Sequence, residues 1–474
     1  MVNRFFIEKI GEKFPYQFTD DQSNALNRIA AFLFSGEAGE IFLLTGYAGT
    51  GKSSLIGSLV KTMTEFRQKT VLLAPTGRAA KVFSGYAGQP AFTIHKKIYR
   101  KQKFDDGRAV FSLDTNLHKH TLFLVDEASM IRNDSEEGAL FGSGSVLEDL
   151  ITYVYSGEGC RMLLLGDTAQ LPPVKQEQSP ALDQAILRSY SLQVKEAVLT
   201  QIVRQEEVSG ILWNATMLRN ALRSGDTDRL PKLRLSGFTD IRSITGGELI
   251  EEIADAYRRD GLEETIVIAR SNKRVNAYNN GIRNRVLFRE EELCSGDLLM
   301  ITKNNYFWTT GFEQFDFFAN GEFVEVLRIR GEEEMYGLRF CNALLYHRDY
   351  AIEFEGKILL DALHTEVPGL TLEQSDRLFN GVMEDYADVT RKYARYQKVK
   401  NDPYFNALQV KYGYAVTGHK AQGGEWKNVF LDLGYMQPSY MGENFYRWLY
   451  TSVTRSSQKL FLVNLPPDCM ELPK

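Results

Sequence analysis

Residues 46–53 read GYAGTGKS, a G-x-x-x-x-G-K-[ST] loop set directly after the apolar run IFLLT (41–45) and before a helix-like stretch at 54–64. Glycine at 46, 49 and 51 lets successive backbone N–H groups converge on one concavity, and a helix N-terminus adds positive potential. Lys52 brings a point charge and Ser53 a hydroxyl able to ligate Mg²⁺. Gly46, Ala48, Gly49, Thr50, Gly51, Lys52, Ser53 and Ser54 therefore form the candidate cradle of a nucleoside triphosphate. Two more strand-like runs end on chemistry that completes it. LFLVDEAS puts Asp126 where a carboxylate can hold Mg²⁺ and Glu127 where a second can orient the attacking water. MLLLGDTAQLPPV puts Asp167 and Gln170 at the end of a further run, with Gln170 able to sense the terminal phosphate and Pro172 and Pro173 stiffening the exit.

These residues need a scaffold that brings strand ends together. IFLLT (41–45), VLLAP (71–75), LFLVD (122–126) and MLLLG (162–166) lack alternation and are bounded by turn residues, as buried parallel strands are. A helix-like segment at 77–85 between them sets the βαβ rhythm of an α/β domain, whose ligands sit at the carboxyl ends of the strands. The rhythm returns in TIVIAR (265–270), VFLDL (429–433) and LFLVN (460–464). Between them, residues 305–403 turn to β-type text, GEFVEVLRI (321–329), MYGLRF (335–340) and YAIEFEGKILL (350–360), followed by a helix-like stretch at 371–400. A smaller insertion at 97–120 carries an Asp-Asp-Gly turn between runs that can pair as a hairpin.

The length of 474 residues, with 43% hydrophobic and 25% charged, suits a multidomain chain. The N-terminal apolar residues are interrupted by Arg4, Glu8, Lys9 and Glu12, unlike a signal peptide, and no stretch has the length of a membrane span. Cys160, Cys294, Cys341 and Cys469 are far apart and form no C-x-x-C pair, which fits a reducing, cytoplasmic setting. Net charge is −5, which disfavours indiscriminate nucleic-acid binding, yet 78–120 is locally basic and 391–400 interleaves cations with Tyr393 and Tyr396.

In sequence order FTDDQSNAL, GYAGTGKS, LLAPTGRAAKVF, TIHK, LVDEASM, GDTAQLPPV, LTQIVRQ, VTGHKAQGGEW and LYTSVTRS resemble the motifs of superfamily 1B helicases of the RecD/Dda-like group. The resemblance implies two RecA-like parallel-sheet domains, with a small hairpin insertion in the first and a β-rich SH3-like insertion in the second. Domain 1A would span 1–205 with hairpin 1B at about 97–120, domain 2A would combine 206–304 and 404–474, and domain 2B would be 305–403 with a helical arm. By the same likeness Gln22 reads adenine, Arg455 is the arginine finger, Arg204 is its companion, and Glu425 reaches the nucleotide sugar. Thr76, His95, Thr417 and His419 match positions that meet DNA, and Phe104 is the candidate wedge.

The implied activity is ATP- and Mg²⁺-dependent movement 5′ to 3′ along single-stranded DNA with opening of duplex at junctions, in the setting of DNA replication, repair or recombination. A monomer without membrane attachment is the expected unit, with 305–403 as a possible docking surface for a protein. The rival readings are a translocase that strips proteins with little unwinding, and a non-hydrolysing nucleotide-gated clamp.

Overall fold

The computed structural model describes residues 2–103, 109–134, 142–202, 208–309, 312, 317–367, 369–436 and 438–471. Arg204 and Phe104, and with Phe104 the tip of the expected hairpin, lie outside these described residues.

The apolar runs of the first half become strands Glu40–Gly46, Lys69–Ala74, Thr121–Val125 and Arg161–Gly166, all buried along most of their length. Two further strands, Ala91–Thr93 and Gln193–Leu199, complete a six-stranded sheet in the order 91–93, 69–74, 121–125, 161–166, 40–46, 193–199. Every pairing is parallel, so all the carboxyl ends share one edge. Both added strands escape a search for buried runs: Ala91–Thr93 is three residues long, and Gln193–Leu199 alternates buried and solvated positions, as a strand at a sheet margin does.

The second sheet is five-stranded and parallel, in the order Ala415–Thr417, Thr265–Ala269, Trp426–Asp432, Ser456–Val463, Ile241–Ile244. Helix Glu443–Val453 precedes its strand Ser456–Val463 and packs against helix Gly210–Ser224.

The insertion is a closed barrel of five strands, Leu298–Ile301, Phe323–Met335, Leu338–His347, Ile352–Leu359 and Leu408–Tyr412. It therefore begins before residue 305 and closes after residue 403, because both flanking strands are too short to stand out as apolar runs. MYGLRF is not a strand of its own. Tyr336 and Gly337 both have positive φ and turn the chain between two long strands, the geometry that suits a tight hairpin. The helix-like stretch resolves into Leu372–Asp385, opened by a Thr371/Gln374 capping box, and Lys392–Lys400; Leu378, Val382 and Val399 pack on Leu338 and Phe340 of the barrel. In the smaller insertion Tyr99–Lys103 pairs antiparallel with Ala109–Leu113.

Asp297, fully buried just before the barrel, ties it to the second sheet. Its carboxylate accepts from Arg283 Nε at 3.0 Å and Nη2 at 2.9 Å, Arg289 Nη1 at 2.5 Å, Tyr414 Oη at 2.8 Å and Cys294 N at 2.7 Å. Burial acts to raise its pKa, but the Arg283 hydrogen bonds and the Cys294 N–H outweigh burial and hold it below the ordinary value.

Asp297→Asn strands two guanidinium groups and should lower unfolding free energy by about 3–5 kcal/mol, read by urea denaturation. Because the folded pKa is depressed, the wild-type contribution is complete above the unfolded value of about 3.9 and fades as pH falls through the folded value. Between pH 7 and 3 the variant should lose less stability than the wild type, and an equal loss would remove Asp297 from this role.

Candidate functional site

A cleft of about 500 Å³ runs along the carboxyl edge of the first sheet and is closed from the other side by the second. Ala48, Gly49, Gly51, Lys52, Ser53, Ser54, Asp126, Glu127, Gln170, Glu425 and Arg455 all line it. Gly49 and Gly51 have φ of +80° and +79°, the left-handed conformations that turn the loop amides inward and that a Cβ would strain. Helix Lys52–Glu65 starts there without a side-chain cap, leaving its first amides for a ligand. Lys52 Nζ donates to Tyr47 O at 2.8 Å and to Gly46 O, and Thr50 Oγ1 donates to Tyr47 O at 2.8 Å.

The acids are packed and hydrogen-bonded. Asp126 accepts from Tyr86 Oη at 2.6 Å and from the Glu127 N–H at 2.8 Å. Burial raises its pKa against the pull of Tyr86, the Glu127 amide and Lys52. Tyr86 is itself pushed well above the usual phenol range, by burial and by Asp126, and stays protonated. Burial pushes Glu127 up to about 7, with Arg455 pulling it down and Asp126 pushing it up. Glu127 also has φ of +51°, uncommon for a residue with a side chain, immediately after strand Thr121–Val125 and Asp126. Gln170 is buried, and its Oε1 has no hydrogen-bond partner among the described residues.

An oxygen donor set of this kind, the Ser53 hydroxyl and the Asp126 carboxylate beside a second acid, fits Mg²⁺. No group of three or more His, Cys, Asp and Glu among the described residues converges as a metal cage.

Arg455 enters from the second half. Its guanidinium is buried, donates to Thr451 O at 2.9 Å, Gly424 O at 3.1 Å and Thr454 Oγ1 at 3.2 Å, and stands 3.9 Å from Glu127 Oε1. Glu425 is exposed, and its carbonyl accepts from Arg78 Nη2 at 3.1 Å while the Arg78 guanidinium stacks 3.7 Å over the Trp426 ring.

Gln22 departs from its expected place. It is fully buried and does not line the cleft: its Oε1 accepts from the Thr19 N–H at 3.1 Å in a capping box, and its Nε2 donates to Thr50 O at 3.0 Å. The amide braces the phosphate loop from behind instead of facing a base. Phe14 and Tyr16, which no motif singled out, reach the cleft in its place, and Phe14 stacks on Phe18 at 4.5 Å.

The four residues expected at the strand separate into two groups. Thr417 and His419 line a second cavity of about 820 Å³ together with Pro172, Pro173, Arg270, Phe445 and Trp448. Thr76 and His95 follow the neighbouring strands Lys69–Ala74 and Ala91–Thr93 of the first sheet. Thr76 Oγ1 accepts from Ala79 N at 3.2 Å and caps its helix. His95 packs at 5.6 Å on Tyr99 and 6.1 Å on Phe317, and burial lowers its pKa to about 4. Burial also lowers that of His419, with help from Lys420, so both imidazoles favour the neutral form. A hollow of about 840 Å³ among Phe5, Phe6, Phe34 and Phe66 lies at the opposite edge of the first sheet, away from these residues.

Residues 17–241 match the family model described as an AAA domain, and residues 412–463 that of the UvrD-like helicase C-terminal domain. The chain is 25% identical over 452 residues to the ATP-dependent RecD2 DNA helicase of Deinococcus radiodurans, covering 94% of this chain and 48% of that protein. It thus spans about half the length of that relative. With the ATP-dependent DNA helicase dda of Enterobacteria phage T4 it shares 23% identity over 468 residues, covering 94% of this chain and 99% of that protein. A Bacteroides Pif1 helicase crystallised with ADP-AlF3 and single-stranded DNA aligns at a TM-score of 0.47 with 15% identity, over 97% of this chain and 95% of that one.

Gln22→Ala removes a loop brace and half of a capping box. It should cost about 1 kcal/mol of stability and leave the preference between adenine and guanine nucleotides as in the wild type. A lost preference, measured by competition binding, would return Gln22 to the base.

Proposed function

We propose that the chain is a superfamily 1B helicase of the RecD/Dda-like group, a Mg²⁺- and ATP-driven motor that moves 5′ to 3′ along single-stranded DNA and opens duplex ahead of it. The observation that carries this is the approach of Arg455, from the second half, to Glu127 of the first at 3.9 Å. A site shared between two sheets can be complete only when the halves are closed, so each turnover is coupled to a relative movement.

In this reading the loop amides and Lys52 hold the phosphates. Ser53 and Asp126 would hold Mg²⁺, which when bound would neutralise charge on the phosphate oxygens. Glu127, with a pKa near neutrality, is suited to orient and deprotonate the attacking water. Gln170, which lines the cleft, would donate from its Nε2 to a terminal phosphate oxygen. Arg455 offsets charge that develops on the transferred group, and loss of such a finger costs on the order of 10³ to 10⁵ in turnover. Arg204 is its proposed companion, and Glu425 at the cleft mouth the contact to the sugar. A hydrolysing motor fits this assembly better than a clamp.

The strand would lie across the carboxyl edges of both sheets, with Thr76 and His95 on one and Thr417 and His419 on the other. Neutral imidazoles and hydroxyls recognise phosphate oxygens by hydrogen bonding without reading sequence. The arm at 372–400, with Leu372 and Tyr393 exposed, offers a surface for a protein partner. A cytoplasmic monomer is the working form we propose. The four cysteines are free, and no helix among the described residues is long and apolar enough to cross a membrane.

Lys52→Ala and Glu127→Gln should each abolish DNA-stimulated ATP hydrolysis, with nucleotide binding kept in Glu127→Gln. Turnover by Glu127→Gln at the wild-type rate would dismiss the water-activating role. Polarity is tested with partial duplexes. One with a 5′ single-stranded tail should open with ATP and Mg²⁺, and one with only a 3′ tail should stay closed; opening from the 3′ tail alone would reverse the assigned direction.

A further inference from the structure

Tyr450 lies on helix Glu443–Val453, shortly before Arg455, with its ring buried. Its hydroxyl spans the two halves of the chain: it accepts from the Ala48 N–H at 2.9 Å and donates to Asp167 Oδ2 at 2.6 Å. Burial and the Asp167 charge raise its pKa well above the ordinary phenol value, so the proton stays on the hydroxyl.

Ala48 belongs to the first half of the phosphate loop. It lines the cleft together with Glu127, Asp167 and Arg455; on the proposed nucleotide reading, the terminal phosphate is the part of the ligand that these residues would meet, and the amides at the start of helix Lys52–Glu65 would take the inner phosphates. A single N–H cannot be given in full to both a phenol and a phosphate oxygen.

Asp167 in turn begins a loop that the same helix grips by its backbone. Arg447 donates to Thr168 O and to Gln170 O, the latter at 3.3 Å, and Leu171 N donates to Thr451 Oγ1 at 2.9 Å. Leu171 O accepts from Gln422 Nε2 at 2.7 Å. The loop runs directly into Pro172 and Pro173, which wall the cavity shared by Thr417 and His419.

We propose that Tyr450 is a positioning residue that senses the terminal phosphate: its hydroxyl holds the Ala48 amide when that phosphate is missing, yields the amide when it arrives, and so re-aims Asp167 and the loop that leads to the strand-facing cavity. The proposal rests on the cleft being a triphosphate site. A diphosphate, which ends short of the Ala48 side, leaves the hydroxyl in place.

The test is Tyr450→Phe in the full chain, which keeps the ring and removes only the oxygen. Dissociation constants are measured without DNA for fluorescent ADP and for a non-hydrolysable fluorescent ATP analogue. The ATP analogue should bind about three- to tenfold tighter, the change one neutral hydrogen bond supplies, and ADP should bind as before. In DNA-stimulated turnover, KM for ATP should fall and kcat should fall with it. Tyr446→Phe, on the same helix but with its hydroxyl donating to Arg229 O at 2.8 Å, is the control and should shift neither nucleotide. Equal shifts for ADP and the ATP analogue, or none in Tyr450→Phe, overturn the sensor while leaving the cleft as a nucleotide site. Failure of the wild type to bind either nucleotide overturns the reading of the cleft and the sensor together.

Discussion

The proposed function depends most on the placement of Arg455, 3.9 Å from Glu127. A guanidinium free in solvent would search many rotamers before meeting a phosphate. Here two backbone carbonyls and a hydroxyl of its own half fix it, and that half positions it against Glu127. If Arg455 is the finger proposed above, holding the cation in advance would remove reorganisation from the moment of reaction, the main source of electrostatic catalysis. The positioning helix is itself bound to the loop after strand Arg161–Gly166 through main-chain groups. Backbone contacts of this kind transmit displacement more directly than contacts between long side chains, which can rotate without moving the chain.

Two all-parallel sheets give this arrangement its logic. Parallel pairing collects every carboxyl end on one edge of each sheet, and the helices that follow present their amides there. On the first sheet the central strands supply the phosphate loop, Asp126 and Asp167, while the marginal strands Lys69–Ala74 and Ala91–Thr93 lead to Thr76 and His95. On the proposed reading one edge would serve two ligands, separated by strand order. Burial raises the pKa of both Asp126 and Glu127, and at Glu127 the Asp126 charge adds to it against the pull of Arg455.

Much of this was legible in the sequence because it is local. A phosphate loop needs its glycines within a few residues, and a buried parallel strand announces itself as an unbroken apolar run. What escaped is long-range or short. Tyr450 and Ala48 are a bonded pair drawn from opposite ends of the chain, and Tyr86 meets Asp126 across a βα unit; neither tyrosine sits in a pattern that demands a hydroxyl. Strands Ala91–Thr93, Leu298–Ile301 and Ala415–Thr417 are too short for periodicity to register and owe their conformation to neighbours already in the sheet. Gln22 is instructive in another way: its motif position was recognised, yet the same residue also completes a capping box after Thr19, and that local bond turns the amide away from the cleft.

Closure of the barrel has a consequence for how the chain folds. Strands Thr265–Ala269 and Ala415–Thr417 pair side by side although the whole insertion separates them in sequence. Closing a flexible loop of that length carries an entropic cost that grows with the logarithm of its length, about 0.6 kcal/mol per doubling. The barrel's first and last strands are antiparallel neighbours, Leu299 opposite Tyr412, so once it closes the insertion enters and leaves at adjacent points. The effective separation of the two sheet strands then shrinks to the stretch from Ala269 to Leu298, which holds helix Asn272–Arg285, and the short link from Tyr412 to Ala415. An order with the barrel closed first and the sheet second would lose less chain entropy when Thr265–Ala269 meets Ala415–Thr417.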